Sequence, residues 1–377
     1  MDAACLTRLK LTDFRNYRQL TLDLDSRHVV LTGENGAGKT NLMEAVSLLS
    51  PGRGLRRAAY ADMARKGCEA GFAVFAALDG MQGPVEIGTS AGGDAEAGGG
   101  RRLRVNGTNA RSNDELLEHL RIVWLTPAMD GLFTGSASDR RRFLDRQVLA
   151  IDPGHGRRVL DYERAMRSRN RLLSEGRRDP AWLSGIETQM AELGIAIALA
   201  RRELIAMMTK LIDERQEDGP FPQAGLQLDD FLVQLPGDNA AEQEEALAAQ
   251  LEAGRERDAA AGRTLTGPHR SDLKVRHRGK DMDAAHCSTG EQKALLVGLV
   301  LAHARLTGEI CGHAPVLLLD EIAAHLDEGR RAALFDLVDA LGGQAFMTGT
   351  DRTMFSALGE RAQFMTVQSG AVGAAPD

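Results

Sequence analysis

The chain has 377 residues, of which 43% are apolar and 26% charged, with a formal net charge of −7. That length buries a substantial core and suits two domains, or one domain carrying a large insertion. No apolar run approaches the roughly 20 residues that span a bilayer, and charges at Asp2, Arg8, Lys10, Asp13 and Arg15 break up any signal peptide. The four cysteines (Cys5, Cys68, Cys287, Cys311) lack the spacing of a zinc knuckle or a disulfide framework, so a soluble cytoplasmic protein is expected.

Apolar and polar residues alternate over 6–11 and 20–24, predicting a β-rich start. The apolar strand 29–32 then feeds Gly33-Glu34-Asn35-Gly36-Ala37-Gly38-Lys39-Thr40, a G-x-x-x-x-G-K-[ST] loop, with a helix opening near Asn41. In such a loop the glycines let backbone N–H groups turn inward around phosphates. The lysine reaches the β and γ phosphates, the threonine hydroxyl holds Mg2+, and the helix N-terminus adds partial positive charge. Residues Gly33 to Asn41 are therefore the expected ATP contacts, with Lys39 also assisting catalysis and Thr40 a metal ligand.

Further strands are predicted over 72–78, 85–89, 102–105 and 122–125, with a glycine-rich hairpin tip over 90–100 and a tight turn at Asn106-Gly107. From 126 to 262 the periodicity becomes helical. Phe143, Leu144, Val148 and Leu149 form one stripe, and Leu193, Ile197, Leu199 and Leu204 another. Pro220, Pro222 and Pro236 leave room for a strand or two. Between Ser136 and Arg178, twelve arginines stand against six acidic residues, which reads either as a partner-binding face or as a solvated helical one. Acidic residues gather instead near Glu242, Glu244 and Glu245. After Thr264 the β/α alternation resumes: strand 273–278, helix 291–306, strand 316–319, helix 330–340, strand 344–347 and strand 363–367. One α/β head over 1–125 and 263–377 is expected, a mixed sheet with flanking helices, with a helical lobe over 126–262 inserted in it.

Val316-Leu317-Leu318-Leu319-Asp320-Glu321 is an apolar strand ending in two carboxylates, the geometry of a Walker B motif. Asp320 is the expected Mg2+ ligand, and Glu321 is placed to polarise the water that attacks the γ-phosphate. Upstream, Cys287-Ser288-Thr289-Gly290-Glu291-Gln292-Lys293 resembles the signature motif of ATP-binding-cassette (ABC) proteins. There the serine and backbone amides, Gly290 included, bind the γ-phosphate held by the opposite subunit. A capping box between Ser288 and Glu291 explains the same residues. Ala324-His325-Leu326-Asp327 follows where that family carries its D-loop, which adds Asp327 to the expected nucleotide contacts. One chain thus carries both halves of a composite site, and ATP should drive homodimerisation.

Leu11-Thr12-Asp13-Phe14-Arg15-Asn16-Tyr17, the phosphate loop and Leu42-Met43-Glu44-Ala45 together resemble the amino-terminal signature of the RecF family. The likeness continues through Gly52-Arg53-Gly54-Leu55-Arg56-Arg57, Asp139-Arg140-Arg141-Arg142-Phe143-Leu144-Asp145, Arg169-Asn170-Arg171-Leu172-Leu173 and Gly267-Pro268-His269-Arg270-Ser271-Asp272-Leu273. It implies an ABC-type P-loop ATPase head related to SMC proteins, with a helical second lobe and no long coiled coil. It further implies an ATP-driven dimer on duplex DNA near single-strand gaps, slow DNA-stimulated hydrolysis, and work with RecR and RecO in loading RecA where single-strand-binding protein coats the DNA. Where transporter ATPases place a γ-phosphate-sensing histidine, this chain reads Gly349-Thr350-Asp351, and Ala128 stands where the family has an acidic residue.

No helix-turn-helix or metal finger appears, and two Trp and three Tyr give no stacking series for single-stranded bases. Contact with duplex phosphates, insensitive to sequence and sensitive to salt, is expected at Arg53, Arg56, Arg57, Arg140 and Arg141. The alternatives are a transporter ATPase subunit, against which the missing histidine and the insert speak, and an ATP-gated protein scaffold.

Overall fold

Leucines alternating with charged residues make the first strand, Cys5–Phe14, two-faced. Leu9 and Leu11 are buried, while Arg8, Lys10 and Thr12 face solvent. The computed structural model describes residues 4–80, 83–92, 100–176, 179–214, 219–324 and 326–374. The middle of the glycine-rich tip (93–99), Arg177, Arg178 and His325 lie outside the described residues. The first strand pairs antiparallel with Tyr17–Asp23 and Phe72–Gly80, and the sheet continues through Gly83–Ala91, Arg102–Val105 and Thr108–Asn109. The Asn106-Gly107 turn joins the last two.

A second six-stranded sheet runs in the order Ala371–Ala374, Ala362–Gln368, His28–Thr32, Ala345–Gly349, Val316–Leu319, Ile122–Leu125, parallel except at the first pair. Its three central strands are buried at every position, as strands covered on both faces are. Leu9, Leu11 and Phe14 of the first sheet share a core with Val29 and Leu31 of the second. Leu42, Met43 and Val46 of the helix Lys39–Ser47 join them. The strand Ile122–Leu125 lies beside the Walker B strand, and the hairpin to Ala371–Ala374 is an addition to the predicted elements. The strand Ala345–Gly349 separates the phosphate-loop strand from the Walker B strand.

The chain divides into two compact units, Met1–Asp130 with Leu296–Asp377, and Gly131–Leu295. Residues 263–295, expected with the head, fall in the second unit because Asp272–His277 pairs along its length with Ala224–Asp229, a strand of the insert. Met282–Asp283 completes that three-stranded sheet. The helices Ala137–Ile151, His155–Ser174, Pro180–Asp213, Ala240–Ala253 and Arg255–Ala261 form the rest. Tyr162, Met190, Ile195, Ile197 and Leu247 build their core. Leu199 is 39% exposed; at 100° per residue it points away from Ile197, so the buried stripe passes through Ile195 and Ala198 instead.

Among the described residues one helix, Thr289–Cys311, is long and apolar enough to cross a membrane by length and composition, and 78% of its most apolar stretch is buried inside the protein.

Candidate nucleotide site

The phosphate loop is braced from behind. A Cβ on Gly33 (φ 143°) would lie 2.3 Å from the Val367 carbonyl oxygen, and one on Gly38 (φ 118°) 2.5 Å from Asn16 Nδ2, so only glycine fits either position. The Tyr17 hydroxyl donates to Gly38 O at 3.0 Å, and Asn16 Nδ2 donates to Ala37 O at 3.1 Å. Glu34, Asn35 and Gly36 form the exposed tip. The Lys39 ammonium lies across the loop, donating to Gly33 O at 2.6 Å and Glu34 O at 2.8 Å. Burial pushes its pKa below the usual lysine value, against the pull of the Glu321 and Asp320 carboxylates. Asn41 faces sideways: its amide donates to Asn16 Oδ1 at 2.7 Å and its oxygen accepts from Arg56 at 2.6 Å.

The Walker B residues meet this loop at the carboxyl ends of the parallel strands. The Thr40 hydroxyl donates to Asp320 Oδ1 at 3.1 Å, and the same oxygen accepts from the Thr348 hydroxyl at 2.7 Å. Glu321 adopts φ 51°, in the left-handed region, with its N–H donating to Thr348 Oγ1 at 2.8 Å. Among the described residues no three His, Cys, Asp or Glu side chains gather to hold a metal. One hydroxyl and one carboxylate instead suit a hard divalent cation that completes its shell with phosphate and water oxygens.

The signature residues form a capping box at the start of Thr289–Cys311. Glu291 Oε2 accepts from the Ser288 amide and hydroxyl, both at 2.9 Å, and Ser288 Oγ accepts from the Glu291 amide at 3.4 Å. Lys280 holds the other oxygen of Glu291, and with the Ser288 donors pushes its pKa down to about 2. A Cβ on Gly290 would meet nothing within 4 Å, so packing within this chain does not call for glycine there. Asp327 caps the helix Glu328–Ala340, accepting from Arg330 N at 2.8 Å.

The family model of the RecF/RecN/SMC N terminal domain matches residues 5–372. DNA replication and repair protein RecF of Rhizobium meliloti (strain 1021) is 70% identical over 367 residues, which cover 97% of this chain and 98% of that protein. The chain belongs to the RecF family. The namesake protein of Agrobacterium fabrum (strain C58 / ATCC 33970) is 66% identical over 98% of each chain. Among solved structures, the recombination mediator protein RecF with ATP, of the RecFOR pathway, superposes with a TM-score of 0.86 at 23% identity, over 99% of this chain and 98% of that one. The Smc head domain of Pyrococcus furiosus with an extended coiled coil superposes with 0.54 at 16%, over 99% and 96%. The fold is thus the ABC-type head of RecF and SMC proteins.

Against this family background the predicted DNA-facing arginines part into two groups. Arg53, Arg56 and Arg57 are exposed on the turn after the helix Lys39–Ser47. Arg56 also reaches the fully buried Glu44 carboxylate at 3.3 Å, which Arg15 grips with two bonds of 2.7 Å. Arg101, absent from the sequence expectations, donates to the carbonyls of Leu48, Ser50 and Gly52 just past that helix and so ties down the turn that carries Arg53.

Arg140 and Arg141 are less exposed than Arg53, Arg56 and Arg57. Arg140 makes a two-pronged pair with Asp272 at 2.7 and 2.9 Å and donates to Gly135 O at 2.7 Å, leaving its side chain 14% exposed. Arg141 donates to Ser271 O at 2.8 Å. Most other arginines of that stretch pair with carboxylates, as Arg164 does with Asp161 and Arg171 with Glu175. Arg169 is wholly buried, bonded to Glu187 at 2.9 Å, Asp258 at 2.7 Å, Thr264 at 2.9 Å and Leu251 O at 2.7 Å. Arg140, Arg141 and Arg169 thus bond within the second unit, whereas Arg142, Arg157, Arg164, Arg167 and Arg171 keep more than half of their side chains exposed.

Proposed function

We propose that this chain is an ATP-dependent DNA-binding protein of replication-associated repair, which binds magnesium-ATP and hydrolyses it slowly. The observation carrying this reading is the convergence of Thr40 and Asp320 on one oxygen-lined position next to Lys39. Lys39 and the loop amides hold the β and γ phosphates of the substrate, and Thr40 and Asp320 hold Mg2+. A magnesium ion bound there neutralises charge developing on the phosphates. Glu321 orients the attacking water and accepts its proton.

Ser288, Gly290 and Asp327 belong to the dimer form of the site, facing the γ-phosphate bound by a second copy. The open space around Gly290 supports this, because a ligand from outside the chain can approach that backbone closely. For Ser288 to donate outward, its bond to Glu291 opens. Duplex phosphates near a single-strand gap contact Arg53, Arg56 and Arg57. RecR and RecO are the protein partners, by family membership and the RecFOR pathway of the solved relative.

Equilibrium binding of a fluorescent ATP analogue with magnesium tests the reading. Lys39→Met should lose affinity at least tenfold, and Ser288→Arg should bind as the wild type yet fail to form ATP-dependent dimers in light scattering. Unchanged affinity in Lys39→Met would overturn the assignment of the loop.

A further inference from the structure

Thr348 bonds to both Walker B residues, to the carboxylate of Asp320 and the backbone of Glu321, and is completely buried. A threonine hydroxyl has one proton and two lone pairs. Here the proton goes to Asp320 Oδ1 at 2.7 Å, and Thr348 Oγ1 receives the Glu321 N–H at 2.8 Å. The carboxylate oxygen can only accept and the amide can only donate, so both bonds fix the hydroxyl in one orientation. Glu321 needs such an anchor, because φ 51° is a conformation that residues with a Cβ avoid. Strand order provides the contact: Ala345–Gly349 is the neighbour of Val316–Leu319, with Met347 opposite Leu319, so Thr348 stands beside Asp320.

We infer that Thr348 is a positioning residue for hydrolysis: its hydroxyl ties the backbone of Glu321 to the carboxylate of Asp320 and so aims the Glu321 side chain at the attacking water. The inference rests on the ATPase reading of the site. It places a polar hydroxyl inside an otherwise apolar strand, where packing alone would be met by valine.

Three variants test it. Single-turnover hydrolysis of magnesium-ATP by Thr348→Val should fall at least tenfold, the scale on which loss of one preorganising hydrogen bond acts, with ATP affinity within threefold of wild type. Thr348→Ser, which keeps the hydroxyl, should stay within threefold in both. On a Glu321→Gln background, Thr348→Val should bring no further loss, since the group it aims is already disabled. Wild-type turnover by Thr348→Val, a serine variant as defective as valine, or an added loss on the Glu321→Gln background would each overturn the inference. If the valine variant fails to fold by circular dichroism, Thr348→Cys, a poor hydrogen-bond acceptor, takes its place with the same expected drop. Absence of turnover in the wild type would remove the ATPase reading and this inference with it, whereas wild-type turnover unaffected by loss of the hydroxyl removes the inference alone.

Discussion

Thr40 and Asp320 are separated by 280 residues, and the hydroxyl of one donates to the carboxylate of the other at 3.1 Å. Asp320 ends a strand pattern that is common by itself, whereas Thr40 closes the phosphate loop. The proposed phosphate-and-metal site rests on their meeting at the carboxyl ends of parallel strands, and the rest of the proposed chemistry is arranged around that pair.

If Glu321 activates water, then Glu321→Gln retains nucleotide binding and stops turnover. The ATP-bound dimer should then persist at least tenfold longer than the wild type in time-resolved light scattering. Equal lifetimes would count against Glu321 as the base.

Exposed and enclosed arginines should behave oppositely. Arg53→Ala and Arg56→Ala should weaken binding to any duplex sequence and flatten its salt dependence, each by about one unit of slope. Arg140→Ala should leave that slope unchanged but lower the melting temperature, because Asp272 loses its two-pronged partner.

Phosphate-loop and Walker B residues were legible because each motif is local and its backbone conformation is dictated by residues a few positions apart. Arg140 was not, since charge in a sequence does not announce its partner, and Asp272 lies 132 residues on. Thr348 escaped notice for a similar reason: its contacts follow from which strand lies between two others. The second unit extends to Leu295, past the expected boundary at 263, because strand Asp272–His277 pairs with a strand of the insert. Arg169 and His269 stand in family-like blocks of sequence, but their burial and partners follow from the fold.

Arg169 is the centre of the second unit's buried polar network, at 0% side-chain exposure with Glu187 and Asp258 each at 2%. Replacing it with methionine strands carboxylates away from water, although Arg255 still pairs with Glu187. Breaking a buried pair in this way costs about 3–5 kcal/mol, and thermal or urea unfolding should register that loss.

His269 gives stability a pH dependence of defined sign. Nε2 lies 2.9 Å from Thr264 O and Nδ1 2.9 Å from the Tyr162 hydroxyl. A carbonyl only accepts, so Nε2 carries the proton and Nδ1 accepts from Tyr162. Burial lowers the pKa of His269, with Arg270 and Arg141 adding to the effect. A lowered folded-state pKa means the contribution is complete above the unfolded value of about 6.5 and is lost as pH falls through the folded one. Melting temperature should drop from pH 7 to pH 5, and His269→Gln should show a shallower drop; identical slopes would place the titration elsewhere.

ATP turnover by the purified protein, with and without duplex DNA and at low and high salt, tests the central claim most directly. Slow turnover that duplex stimulates at low salt, with the stimulation fading at high salt, is the predicted result. Turnover indifferent to DNA under every condition, or none at all, would contradict an ATP-dependent DNA-binding protein.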